Sequence, residues 1–219
     1  MSQALSTATI TTVLKGTFDA WRRHSDELRQ LDAIIGDGDL GVTVELGSMA
    51  MADYLTKPGE EDIGKLLMKC GMQINKSTPS TFGTLLASAF MEAGKAVLGC
   101  KEIQIEDLLL VGQRAIDGIK KRGKAEAGDK TMLDALVPAV EAFQQALAKG
   151  TEQKAAIEAA IKAARAGMEA TIKMWAKHSR ASYRHDGGVG VQDAGATAMY
   201  YLIESFGRSL VAHLEPVCK

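Results

Sequence analysis

Asp32, Asp37 and Asp39 fall within eight positions of one another in L-D-A-I-I-G-D-G-D-L-G, from Leu31 to Gly41. Carboxylates crowded this closely repel unless a cation sits between them. Gly36 and Gly38 allow the tight turning that lets side chains from a helix end and the following loop face one point. Hard oxygen donors of this kind suit Mg²⁺ or Ca²⁺ rather than zinc. A Ca²⁺ loop of the EF-hand type starting at Asp37 requires an oxygen ligand at its fifth position, glycine at its sixth and glutamate at its twelfth. The chain has Gly41, Val42 and Ser48 there, which excludes it. The alternative to a metal centre is a solvated acidic turn capping the next helix, since D-G-D is common in turns.

The elements that must position these carboxylates read as helices. Ile10, Val13, Leu14, Phe18 and Trp21 recur at helical spacing and predict a first helix from about Thr7 to Arg23. Ser25 is placed to cap a second, short helix through Leu28 and Leu31 that delivers Asp32 on its last turn. Val42, Leu46 and Met49 mark a third, whose N-terminus points backbone N–H groups at the acidic turn, a geometry that suits phosphate. Pro58-Gly59 breaks the chain, and Ile63, Leu66, Leu67, Cys70 and Ile74 form the next stripe. Asn75 to Thr81 reads as a polar loop around Pro79. Phe82 to Phe90 and Ile105 to Ile119 resume the helical pattern, the second run ending in Lys120, Lys121, Arg122 and Gly123, cations that suit a helix C-terminus.

Lys124 to Lys130 is a loop, and Thr131 restarts a helix that Pro138 should bend. Ile157, Ile161, Ala164, Met168, Ile172 and Trp175 form the most regular stripe, with Thr151 as its cap. His178 to Gly190 is a long polar loop, and Asp193 stands at the N-cap of the last helix. No segment alternates long enough for a strand, and no linker divides the chain. The expectation is one all-α domain, residues 1–219, of about eight or nine helices.

Composition narrows the partners. A net charge of −1 argues against a nucleic-acid or membrane surface. Cys70, Cys100 and Cys218 form no paired motif and fit a reducing, cytoplasmic setting. Met1-Ser2-Gln3-Ala4 opens no signal sequence, and no apolar run approaches the ~20 residues that span a bilayer. In an antiparallel helical array alternate loops share one end. The acidic turn, the Ser77/Thr78 loop, the Gly123–Lys130 loop and the Arg180–Asp193 loop then meet. Carboxylates for metal, helix N-termini for phosphate and an arginine for a terminal phosphoryl group are the parts of a Mg-nucleotide site. His178 and His185 receive no role, because lone loop histidines are usually solvated.

L-D-A-I-I-G-D-G-D-L-G, R-G-K-A-E-A-G-D-K-T-M-L-D-A-L-V-P, and S-R-A-S-Y followed by G-V-Q-D-A-G-A stand in an order and at a spacing that resemble the nucleotide-binding L subunit, or L domain, of dihydroxyacetone kinases. The resemblance implies an antiparallel eight-helix barrel holding ADP or ATP at one end with two Mg²⁺ ions. By position it implies Asp32, Asp37 and Asp39 as metal ligands, and Leu40, Gly41, Val42 and Thr43 beside the phosphates. It puts Ser77 and Thr78 in a closing loop, Gly123 and Met132 at the nucleoside, and Arg180 with Gln192, Asp193 and Ala194 on the phosphate and ribose side. Arg180 is the candidate catalytic residue. The chain departs from the family at Leu40 and Val191, where the family has histidine, at Thr43 in place of asparagine, at Ala194 in place of proline, and in the short K-S-T-P-S-T segment. The implied function is a kinase subunit serving a short keto-sugar held by a separate K-type subunit, with a phosphotransferase-system protein as a possible phosphoryl donor. The other two readings are the nucleotide domain of a fatty-acid kinase and a non-catalytic nucleotide-sensing regulatory module.

Overall fold

A computed structural model describes residues 4–57 and 59–214. Expectations that fall on Met1 to Gln3, Pro58 and Cys218 lie outside the described residues. Nine α-helices account for nearly all of the regular structure among them: α1 (Thr7–Arg22), α2 (Ser25–Ile35), α3 (Leu40–Leu55), α4 (Ile63–Ser77), α5 (Thr81–Ala96), α6 (Asp107–Gly123), α7 (Leu133–Ala148), α8 (Gln153–Ala170) and α9 (Ala194–Leu214). The all-α expectation holds, the described residues adding to the helices only short 3₁₀ turns and a two-residue ladder, β1 (Leu5–Ser6) paired antiparallel with β2 (Glu102–Ile103). The ladder is too short to show alternation in the sequence.

Side chains and loop backbone cap several helix ends. Ser6 Oγ accepts the Thr9 N–H at 3.2 Å, Asp62 Oδ1 the Lys65 N–H at 3.1 Å, and Ser80 Oγ the Gly83 N–H at 3.0 Å. α6 ends in its three cations and a left-handed Lys124 at φ 54°, whose N–H donates to the Lys120 carbonyl. Two expected caps are corrected. Ser25 is already inside α2, with His24 at the cap position, because the turn leaving α1 supplies a backbone acceptor (Leu28 N to His24 O, 2.9 Å). α8 starts behind Glu152, not Thr151.

The helices pack in a circuit: α1 against α3, then α4, α5, α6, α7, α8 and α9 in turn, with α9 returning to α1. α2 rides on α3 outside this circuit. The core fills its interior. Trp21 of α1, 1 % exposed, donates its indole N–H to the Ala198 carbonyl of α9 at 2.8 Å and meets Phe18 edge-on at 5.9 Å. Burial of one such ring stabilises by about 2–3 kcal/mol.

α3 shows the reverse of the expected face. Val42, Leu46 and Met49 are 41 %, 41 % and 48 % exposed, whereas Leu40, Gly41, Thr43, Val44, Gly47, Ser48 and Met51 are buried. Close approach decides this. A Cβ at Gly41 would lie 2.1 Å from the Ser25 carbonyl oxygen, so only glycine lets α3 seat on α2. The expected stripe of α8 also stops early: Ile157, Ile161, Ala164 and Met168 are buried, but Ile172 and Trp175 lie past the helix and are exposed. The polar loop predicted at Asn75–Thr81 is shorter too, since α4 runs through Ser77 and α5 starts at Thr81.

Candidate functional site

Four connections line one cavity of about 460 Å³. They are the α2–α3 turn, the α4–α5 turn, the α6–α7 loop and the long α8–α9 loop. Its lining joins the polar groups described next to the apolar Phe82, Leu85, Ile119 and Met132.

The polar groups start at the end of α2. Asp32 sits on its last turn, and the chain reverses through Gly36 and Gly38 before α3 begins. Gly38 adopts φ +74°, a left-handed conformation that glycine takes without steric cost. At Gly36 space is the constraint, because a Cβ would stand 2.2 Å from Asp32 Oδ1. The Leu40 N–H at the head of α3 donates to Asp32 Oδ2 at 3.3 Å. Asp32, Asp37 and Asp39 thereby each bring a carboxylate oxygen to within 4.8 Å of the others. Burial raises the pKa of Asp32, a rise opposed by the Leu40 N–H and increased by Asp37. Asp39 is raised first by burial and then by its two acidic neighbours. Three hard oxygens converging with mutual repulsion fit a small divalent cation such as Mg²⁺.

Arg180 comes from a different element, a short 3₁₀ turn, Arg180–Tyr183, in the α8–α9 loop. Its Nη2 lies 2.6 Å from Asp37 Oδ2. A guanidinium thus stands beside the carboxylate cluster, an arrangement suited to an anion already carrying metal. Asp193 caps α9, with its Oδ2 accepting the Ala196 N–H at 2.7 Å and its carbonyl the Thr197 N–H at 3.0 Å. Its burial lifts the carboxyl to about 7, against the pull of the nearby Lys130 cation.

Of the residues anticipated from sequence, Asp32, Asp37, Asp39, Leu40, Gly123, Met132, Arg180, Asp193 and Ala194 line this cavity. Gly41, Val42, Thr43, Ser77, Thr78 and Gln192 are not among its lining residues. Thr43 is buried behind the wall and donates its hydroxyl to Ser80 Oγ at 2.9 Å, steadying the α4–α5 turn. Ser77 and Thr78 both donate back to the Ile74 carbonyl, at 3.2 and 2.6 Å, and their neighbours Pro79, Ser80 and Thr81 face the cavity instead. Gln192 donates to Thr197 Oγ1 at 2.9 Å.

Sequence reasoning missed Asp129, Lys130 and His178. Asp129 accepts from Lys177 Nζ at 2.6 Å and is 3.3 Å from His178 Nε2, so the histidine beside the cavity is held, not free. Lys177 holds the Asp129 carboxyl below the usual carboxylate range. Asp129 and Lys130 follow Gly128, which turns at φ +94°, but nothing in the letters says what either side chain meets.

A family model described as the DAK2 domain matches residues 34–208. The ADP-binding subunit of the PEP-dependent dihydroxyacetone kinase of Escherichia coli is 33 % identical over 201 residues, covering 92 % of this chain and 96 % of that one. The corresponding subunit of PEP-dependent dihydroxyacetone kinase 2 from Listeria innocua is 32 % identical, covering 83 % of this chain and 84 % of that one. An L-erythrulose 1-kinase of Mycolicibacterium smegmatis is 32 % identical over 84 % of this chain, which spans only 32 % of that longer protein. The crystal structure of the dihydroxyacetone kinase of C. freundii in complex with AMP-PNP and Mg²⁺ shares the fold at a TM-score of 0.70 and 24 % identity, over 95 % of this chain and 35 % of that one.

Proposed function

The chain belongs to the DAK2 domain family, and on that premise we propose that it is the nucleotide-binding subunit of a dihydroxyacetone kinase or of a close short keto-sugar kinase. One observation carries the proposal: three clustered carboxylates, with Arg180 paired to one of them, share a cavity with the apolar Phe82, Leu85, Ile119 and Met132. Such a cavity suits a nucleotide with its phosphates at the acidic turn and its base against Phe82, Leu85 and Met132.

Asp32, Asp37 and Asp39 would hold two Mg²⁺ ions, which would neutralise charge on the phosphate oxygens. Arg180, beside Asp37, would stabilise charge on the moving phosphoryl group. Leu40 brings the N-terminus of α3 alongside, with Gly41 and Thr43 buried behind it and Val42 facing outward. Pro79 to Thr81 close one rim, with Ser77 and Thr78 as their anchors. Gly123 and Met132 border the nucleoside, and Asp193, Ala194 and the neighbouring Gln192 complete the ribose side. The whole of 1–219 serves as one domain.

In-line transfer demands an acceptor placed opposite the terminal phosphate. A separate K-type subunit docking over this end would supply it. Relatives named as PEP- or PTS-dependent favour a phosphotransferase-system protein as donor, with ADP as the resident nucleotide. The test is reconstitution. Purified chain, Mg²⁺, ADP or ATP and dihydroxyacetone should give negligible sugar phosphate alone and clear turnover once a K-type subunit, and for ADP a donor protein, is added. Robust turnover without a second protein would place the acceptor site in this chain. Nucleotide binding without turnover under every combination would favour a regulatory module.

A further inference from the structure

Lys130 is 1 % exposed, an unusual fate for a lysine. Its Nζ donates to the carbonyls of Thr171 at 2.9 Å, Gly188 at 2.7 Å and Val191 at 2.7 Å, and lies 3.3 Å from that of Met174. An ammonium has three N–H donors, so the three short bonds use them all and the fourth oxygen shares one. The four acceptors come from the two stems of one loop. Thr171 and Met174 stand where the chain leaves α8, and Gly188 and Val191 where it approaches α9. The segment between them carries Arg180 to Asp37.

Four carbonyl dipoles aimed at one point repel one another, and a cation at that point turns the repulsion into attraction. Two backbone bonds, Gly190 N to Ile172 O at 2.7 Å and Ala176 N to Gly187 O at 3.0 Å, zip the stems alongside. The Thr171 and Gly188 carbonyls also accept the Met174 and Val191 N–H groups, at 3.1 and 3.3 Å, so each shares its oxygen between a backbone donor and Lys130. Gly188 turns its carbonyl into the cage at φ +68°, where a Cβ would press on Ile35 and Ala181 at 3.2 and 3.3 Å. Lys130 itself holds φ +62°, a left-handed backbone that costs a non-glycine residue of order 1–3 kcal/mol and persists where surrounding contacts fix it. Desolvation lowers the Lys130 pKa, which Asp193 and Asp186 counter.

We infer that Lys130 is a positioning residue whose ammonium fills a four-carbonyl cage, in the manner of a bound monovalent cation, and so closes the 171–191 loop to hold Arg180 over the acidic turn. The consequence for phosphoryl transfer rests on the function proposed above; the closure of the loop does not.

The test is chemical rescue in Lys130→Ala, with Lys130→Met as the variant that fills the space without charge. Trp175 lies in the loop, where a Cβ at Gly187 would stand 2.3 Å from its ring, and the other tryptophan, Trp21, is buried in the core as a constant background. Both variants should shift Trp175 emission in the protein without nucleotide or partner. With a K-type subunit, both should lose roughly 10²-fold or more in kcat while the Mg-ADP dissociation constant changes less than about fivefold. Ammonium or ethylammonium should restore emission and turnover to Lys130→Ala, and neither tetramethylammonium nor any amine should restore Lys130→Met. If Lys130→Ala does not fold in plain buffer, refolding with and without ethylammonium makes the same comparison, and recovery only with the amine supports the cage. Wild-type emission in Lys130→Met, or no rescue of Lys130→Ala by either small ammonium ion, overturns the inference. Emission that responds as expected without any turnover in the wild-type pair would refute the kinase reading and leave the cage standing.

Discussion

Asp37→Asn separates the metal site from the fold. The substitution keeps the shape of the side chain and removes one charge from a cluster whose oxygens lie within 4.8 Å of each other. At that separation each carboxylate pair repels by about 0.9 kcal/mol in bulk water, and by about 3.5 kcal/mol at an effective dielectric of 20. Asp37 takes part in two such pairs. Against this stands its contact with Arg180, whose side chain is 69 % exposed. An ion pair so open to solvent contributes about 0–1 kcal/mol. The balance favours a metal-free variant more stable by about 1 kcal/mol or more, a rise in Tm of about 2–4 °C for a chain of this size. The wild type should also gain about 2.7 kcal/mol from Mg-ADP at ~100 times its dissociation constant, and the variant should gain nothing. Thermal melts followed by circular dichroism, with ADP plus Mg²⁺ and with ADP plus chelator, read both effects. A metal-free Tm several degrees below wild type would make Asp37 a structural cap, and an unchanged Mg-ADP shift would remove it from the metal site.

Two further outcomes follow from the site. Arg180→Ala, assayed with a K-type subunit, should lower turnover by roughly 10²-fold or more and leave the metal-free Tm within about 1 °C of wild type, since its one ion pair is largely exposed. Asp193 should make stability pH-dependent: with its carboxyl near 7 in the folded chain and 3.8 ordinarily, the folded state holds a proton that the unfolded state has released between those values. Its contribution therefore falls as pH rises from about 4 to about 7 and then levels off. Asp193→Asn keeps an acceptor for the Ala196 N–H, so it should flatten that slope and raise stability at pH 8 by up to about 4 kcal/mol; a variant less stable than wild type at pH 8 would contradict this.

The acidic turn was legible because its parts are neighbours in sequence. Asp32, Asp37 and Asp39 need only one helix end and two glycines to meet, and both features are visible in the letters. The last helix announced its start through Asp193, a cap that acts across three residues. α3 misled because hydrophobicity is a poor guide where helices approach closely. Gly41, Gly47 and Ser48 take the inner face because they are small, and Val42, Leu46 and Met49 are left outside. Ser77 and Thr78 read as loop residues because Pro79 follows, yet their hydroxyls satisfy the last turn of α4. Lys130 was illegible for a different reason. Its partners are backbone carbonyls 41 to 61 residues away, and carbonyls leave no mark in a sequence.

The central claim is that the carboxylate cluster binds nucleotide through a divalent metal. Calorimetric titration of ADP into the purified chain tests it directly, once with millimolar Mg²⁺ and once with chelator in excess. The account predicts a single site per chain in the first titration and no detectable binding in the second. Equal affinity in both, or no binding with Mg²⁺ present, would contradict it.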